Sequence, residues 1–139
     1  MARIIAVSGV KAIIGNIRRN ERKLAAGAER GVKLAGLRLL RESQMRVPVD
    51  SGNLKASGFM RSKGTGFRTE ANIGYTANYA IFVHENVEMK LKGQPRPGGR
   101  GRYWDPQGKG QAKFLEEPAR TLAPVLRKII RDSARVARD

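Results

Sequence analysis

Cysteine is absent from the 139 residues, so a disulfide framework, a thiolate metal site and a thiol nucleophile are all excluded. Histidine occurs once, which removes histidine-rich metal centres. Carboxylates are scarce, with 12 Asp and Glu against 28 Lys and Arg and a formal charge of +16. No apolar run approaches the ~20 residues that a bilayer crossing takes. The longest stretch, Ile4 to Ile14, is interrupted by Gly9 and Lys11. It lacks a charged leader and a small-residue cleavage site, and does not read as a signal peptide. These absences point to a protein made and used in a reducing cytoplasm, or in a particle assembled there, without a membrane partner. The length suits a single domain, 1–139, with one modest core. At 40% hydrophobic residues the chain is too apolar to be wholly disordered.

The positive charge is unevenly placed. Residues 1–46 carry a net +8, 47–85 only +1, 86–113 +5 and 114–139 +2. A nearly neutral middle is thus flanked by basic ends and one basic loop. Such a balance points to a polyanionic partner, either nucleic acid or an acidic protein surface.

Ala2 to Ser8 is short, apolar and partly β-branched, which predicts an opening strand ended by Gly9. From about Asn16 to Arg46 the sequence predicts one long helix. Ile17, Leu24, Ala28, Val32, Ala35 and Leu39 fall in a narrow arc at 100° per residue, with Arg19, Arg22, Lys23, Arg30, Lys33 and Arg41 opposite. Gly27, Gly31 and Gly36 disfavour a helix by about 1 kcal/mol each relative to Ala, unless they admit a neighbouring backbone or a bend. About 31 helical residues span ~46 Å, more than the width of a small domain, so the helix bends or projects. A projecting basic and apolar helix is a natural contact between copies of the chain.

Val47-Pro48 ends that helix, because the residue before proline avoids the α region. Asp50 or Ser51 is then placed to cap a short turn. Ser57 to Lys63 and Phe67 to Tyr75 predict two strands joined by Gly64-Thr65-Gly66. Tyr79 to Glu85 fits a short helical turn or an extended segment. Gly93 to Gln111, rich in Gly and Pro, is a loop inside a broader basic segment at about 86–113. Phe114 to Arg138 predicts a last helix with Leu115, Ala119, Leu122, Leu126, Ile129, Ile130 and Ala137 on one face. Pro118 lies near its start, where proline is tolerated. Neither long helix is stable without a partner surface. The expected fold is α+β, a small antiparallel sheet packed against a long N-terminal helix and a C-terminal helix.

No catalytic constellation emerges. Gly108-Lys109 lacks the glycine spacing of a phosphate-binding loop, and Gly110 stands where Ser or Thr would coordinate magnesium. His84-Glu85-Asn86-Val87-Glu88 approaches the zinc-protease pattern but has no second His; a half-buried, hydrogen-bonded His84 at the end of an element explains it better. Asp50, Ser51 and His84 are the residue types of a hydrolase triad, yet Asp50 and Ser51 are adjacent and capping already explains them. The chain therefore reads as a non-enzyme without cofactor or metal. The loop is different. Arg96, Arg100, Arg102, Tyr103, Trp104, Lys109 and Lys113 combine cations with aromatics, a mixture suited to phosphate contact and stacking on bases or a protein partner.

Three segments, in order, resemble a family of tail-completion, or head–tail joining, proteins of long-tailed bacteriophages. Val47-Pro48-Val49-Asp50-Ser51-Gly52-Asn53-Leu54-Lys55-Ala56-Ser57 is similar to the family's P-V-D-T-G-x-L-x-x-S signature. Asn78-Tyr79-Ala80-Ile81-Phe82-Val83-His84-Glu85 is similar to its Y-A-x-Y-V-E segment, and Lys113-Phe114-Leu115-Glu116-Glu117-Pro118-Ala119 to its P-F-L-x-P-A entry to the last helix. Departures are His84-Glu85-Asn86 where the family has Glu-Phe-Gly-Thr, Lys113 in place of proline, and the long basic loop.

The resemblance implies a structural virion protein at the head–tail junction, assembled in the host cytoplasm. It would form a ring, typically six-fold, with copies of itself. Its other partners would be portal-associated connector proteins, tail tube or tail terminator proteins, and DNA passing through the channel. It further implies that Pro48, Asp50, Ser51, Gly52, Leu54, Tyr79, Phe114, Leu115 and Pro118 set the fold rather than perform chemistry. The alternative that charge alone supports is a small basic nucleic-acid-binding protein.

Overall fold

The computed structural model describes the backbone of residues 2–8, 97 and 138, and backbone and side chains of 9–49, 52–87, 95, 98, 99 and 110–137. One helix, α1 (Ala2–Arg46), runs 45 residues, or ~67 Å at 1.5 Å per residue. After it come a single helical turn α2 (Asn53–Ala56), strands β1 (Gly58–Lys63) and β2 (Glu70–Tyr75), α3 (Ala80–Glu85), α4 (Glu116–Thr121) and α5 (Ala123–Arg138). The fold is α+β. The strands form a two-stranded antiparallel hairpin in which Gly58 pairs with Tyr75 and Lys63 with Glu70. Among the described residues no helix is long and apolar enough to cross a membrane.

Ala2–Ser8 is helical, not the expected opening strand. A short β-branched apolar run is ambiguous on its own. Joined to an existing helix, it gains one hydrogen bond per residue without a new nucleation step, and Gly9 does not interrupt it. The expected last helix is in fact two. Pro124 lacks the N–H that would bond back to Arg120, and the chain turns at Leu122, whose own N–H still donates to the Pro118 carbonyl at 2.9 Å. The hairpin connection is also longer than three residues. Gly64 and Gly66 have positive φ, and a 3-10 turn at Gly66–Arg68 precedes β2. A Cβ on Gly64 would lie 2.3 Å from the Arg68 carbonyl oxygen, so only glycine fits that corner.

α1 occupies the middle of the domain. Its Gly27 and Gly31 face α5, where a Cβ would come within 2.6 Å of Ala137 Cβ and 2.7 Å of Ile130 Cα. The two glycines, one turn apart, thus bring the helix backbones together against the small side chains Ser133, Ala134 and Ala137. The hairpin lies on the opposite flank. Gly36 meets Met60 and Ala71, Leu40 reaches Gly58, and the Gly66 N–H donates to Glu29 at 3.0 Å. Glu29 also pairs with Lys33 at 2.8 Å. These two hydrogen bonds, from Lys33 and then from Gly66, hold its carboxyl below the ordinary value.

A row of alternating three- and four-residue steps runs along α1 through Val10, Ile14, Ile17, Glu21, Leu24, Ala28, Gly31 and Ala35. From Leu24 onward the row is half-buried or buried. Towards the N-terminus it is bare, with Val10, Ile13, Ile14 and Ile17 43–60% exposed. Ile17 was expected on the buried face; it is 60% exposed and lies past the level at which α5 ends, near Gly27.

The glycine clasp predicts opposite outcomes for one substitution at two places on α1. Gly15→Ala meets nothing within 4 Å. It should raise stability by roughly 0.5–1 kcal/mol through helix propensity. Gly31→Ala should instead lower stability by about 1–3 kcal/mol, because overpacking outweighs the same propensity gain. Thermal or urea denaturation of both variants checks the pair.

Candidate functional site

Among the described residues a cluster of buried apolar side chains lies at the C-terminal end of α1. Val47, Leu54 and Phe114 are buried there, and Tyr75, Ala77, Ala80, Val83 and Leu115 pack around them. The three segments that carry the family resemblance therefore meet in one cluster. Phe114 is its centre, 1% exposed, with the Tyr75 ring 5.1 Å away and the His84 ring 5.0 Å away, both edge-on. Such contacts suit the ring quadrupole. The chain enters this position with Lys113 in the left-handed region at φ 54. The Lys113 N–H donates to the His84 carbonyl at 2.7 Å and the Gln111 N–H to the Arg46 carbonyl at 2.9 Å, which anchors the segment to α3 and to the end of α1.

Beneath the cluster Ser43, fully buried, shares a 2.7 Å hydrogen bond with the Tyr75 hydroxyl. Burial pushes the Tyr75 phenol up, and the Ser43 bond opposes this in part. Neither residue was singled out from the sequence. The available signal was a lone hydroxyl spaced four residues from both Leu39 and Val47 in an apolar row.

Above the cluster lies a polar network. The Glu116 N–H donates to His84 Nε2 at 3.3 Å, which requires the lone pair on that nitrogen. In the neutral ring the proton is then on Nδ1, directed at the Glu85 carboxylate 2.8 Å away. The Lys113 ammonium bonds Glu85 and also reaches Glu116 at 3.1 Å. Arg120 pairs with Glu116 at 2.8 Å, and Arg46 with Glu117 at 3.4 Å. Lys113, followed by His84, holds the Glu85 carboxyl below its ordinary value; Glu85, followed by Glu116, raises the Lys113 ammonium.

His84, Glu85 and Glu116 each bring a ligand atom within 4.8 Å of the others. The donor set does not suit a metal ion. Lys113 already provides the positive charge between the two carboxylates, and the Glu116 N–H uses the His84 lone pair. His84 is a half-buried, hydrogen-bonded residue near the end of α3.

The other expected positions divide clearly. Pro48, Leu54, Phe114 and Pro118 are buried, and Leu115 packs on the cluster. Gly52 precedes α2 with φ 83 and without a side-chain cap bond. Tyr79 is 42% exposed and precedes α3, which borders a recess. That recess, about 170 Å³, is lined by Tyr75, Ala80, Ile81, His84, Phe114 and Leu115. Asp50, Ser51, Arg96, Arg100, Arg102, Tyr103, Trp104 and Lys109 lie outside the described residues. Comparison with protein-family models, curated proteins and solved structures finds no match.

Phe114→Ala should lower stability by about 3–5 kcal/mol, as truncating a fully buried aromatic does, measured by urea denaturation. The ion network predicts a pH window. Glu85, with its folded value depressed, contributes above the ordinary carboxylate value of 4.5 and loses that contribution as the pH falls through the folded value. Lys113, with its folded value raised, contributes below 10.5 and loses its contribution above that. The stability difference between the native chain and Glu85→Gln should therefore stay flat near neutrality and shrink on acidification below 4.5.

Proposed function

We propose that the chain is a structural protein of a tailed-bacteriophage virion, one that assembles into a ring in the neck and completes the tail or joins the head connector to the tail tube. The observation that carries this reading is the N-terminal part of α1. A helix of ~67 Å extends far past a domain of ordinary width, and its outer part exposes four large aliphatic side chains, Val10, Ile13, Ile14 and Ile17. An exposed apolar row of this kind marks an interaction surface rather than a solvated face.

The convergence of the three motif segments on Phe114 supports the same reading. Leu54, Phe114, Leu115 and Pro118 serve as packing residues, and their neighbours form a closed ion network instead of a reacting centre. In such a ring the basic flanks of the helices would face neighbouring copies, acidic connector proteins or DNA in the channel.

Mass photometry across a salt series tests this against the nucleic-acid-binding alternative. The ring reading expects one defined oligomer, formed by the protein alone or on a partner ring. A strict monomer that binds duplex DNA at submicromolar strength, with affinity falling steeply as salt rises, would replace it.

A further inference from the structure

Three helical cations of this chain are paired with a glutamate one turn earlier: Lys33 with Glu29, Arg46 with Glu42 and Arg120 with Glu116. On α5 the pattern is reversed. Arg127, Lys128, Arg131 and Arg135 are all exposed, and the residues four positions before them are Ala123, Pro124, Arg127 and Arg131. Arg127, Arg131 and Arg135 are therefore stacked one turn apart, and like charges at that spacing weaken a helix. Among the described residues none of the four has an ion-pair partner; Asp132, the single carboxylate of α5, pairs with none of them. The helix dipole favours a cation in the last turn, which accounts for Arg135 alone. Ile130, Ser133, Ala134 and Ala137 lie against Gly27 and Gly31 of α1. At ~100° per residue the four cations fall in the adjoining, outward arc. The clasp thus uses the apolar face of α5 and leaves a basic one open.

We infer that this outward face of α5 binds the phosphate backbone of duplex DNA. The site belongs to a single copy of the chain and is independent of the ring proposed above. Charge complementarity and the composition of the helix select the partner. An acidic protein surface would be met with aromatic or apolar anchors at the centre of the contact. α5 contains no aromatic residue, and its exposed Val125 and Val136 stand ~16 Å apart along the axis. A single strand would need aromatic platforms for its bases, which α5 also lacks. A lipid surface would need the apolar face of the helix, which is already against α1. Phosphates fit what remains. The row from Arg127 to Arg135 is ~12 Å long, and one strand of the duplex carries a phosphate every ~3.4 Å, so the row faces three or four of them. Three of the four cations are arginines, whose planar fork bonds phosphate through two N–H groups. Contacts to phosphate carry no sequence information, so binding is indifferent to base sequence.

Fluorescence anisotropy of a labelled random-sequence duplex, titrated with the full chain from about 50 to 300 mM salt, tests the assignment. Combining Arg127→Gln, Lys128→Gln, Arg131→Gln and Arg135→Gln should reduce the slope of log K against log salt by about 3–4, or ~0.9 for each phosphate no longer neutralised. Arg131→Gln alone should reduce it by about 1. Because this variant also removes two like-charge neighbours, it should melt slightly higher at low salt while binding more weakly, a combination that a merely structural arginine does not give. An equal loss of charge on α1, combining Arg18→Gln, Arg19→Gln, Arg22→Gln and Lys23→Gln, should leave the slope within about one unit of native. All eight positions are exposed, so both sets should keep the native circular dichroism. If the α1 set lowers the slope as much as the α5 set, binding belongs to the overall charge and the assignment to α5 is overturned. A native chain that does not bind the duplex even at the lowest salt overturns it too. Polyglutamate that displaces the labelled duplex as well as unlabelled duplex does, at equal charge, replaces DNA with an acidic protein as the partner. Mass photometry of the same samples keeps the two ideas apart. An oligomer that ignores DNA leaves the ring reading standing and removes this inference; a monomer that binds through α5 does the reverse.

Discussion

Gly27 and Gly31 leave room on α1 for another backbone, and that room governs the layout of the molecule. Any Cβ at Gly31 would lie 2.7 Å from the Ile130 Cα, so α5 approaches at a separation that side chains forbid. Close approach in turn fixes where α5 runs and where it stops, one level short of the bare row. It also consumes one flank of α1, so the hairpin is received on the other, where Gly36 makes room for Met60 and Ala71. A helix with glycines on two sides is intrinsically weaker than an alanine helix. Here it is stabilised by what the glycines admit.

At the other end of the domain, burial of Phe114 couples segments that are far apart in the chain. Its ring contacts Tyr75 from β2 and His84 from α3, while Val47 and Leu54 close the cluster from the end of α1 and from α2. The polar groups above it satisfy one another, so the site has the character of a fastening. It holds the start of α4 to α3 and presents the apolar side chains Ile81 and Phe82 outwards.

Val10, Ile13, Ile14 and Ile17 are exposed towards one end of α1, and the recess beside α3 lies near the other. The continuous helix α1 joins the two regions.

Much of this was legible in the residues. The apolar rows of α1 from Leu24 to Leu39 and of α5, the stop at Val47-Pro48 and the hairpin around Gly64 follow from periodicity and from residues that break or permit backbone conformations. Those are local properties, and a single sequence carries them. Tertiary structure decided the rest. Ala2–Ser8 became helix because α1 already existed to be extended, and Ile17 stayed bare because α5 ends before reaching it. Pro124 split the last helix once its missing N–H had to be placed. Ser43 and Tyr75, distant in sequence, became partners only when β2 packed on α1. Lys113, read as a cation for a partner, forms surface ion pairs with Glu85 and Glu116 of its own chain. A sequence shows which faces are apolar; which of them a chain covers for itself depends on contacts between residues far apart, and only the folded molecule contains those.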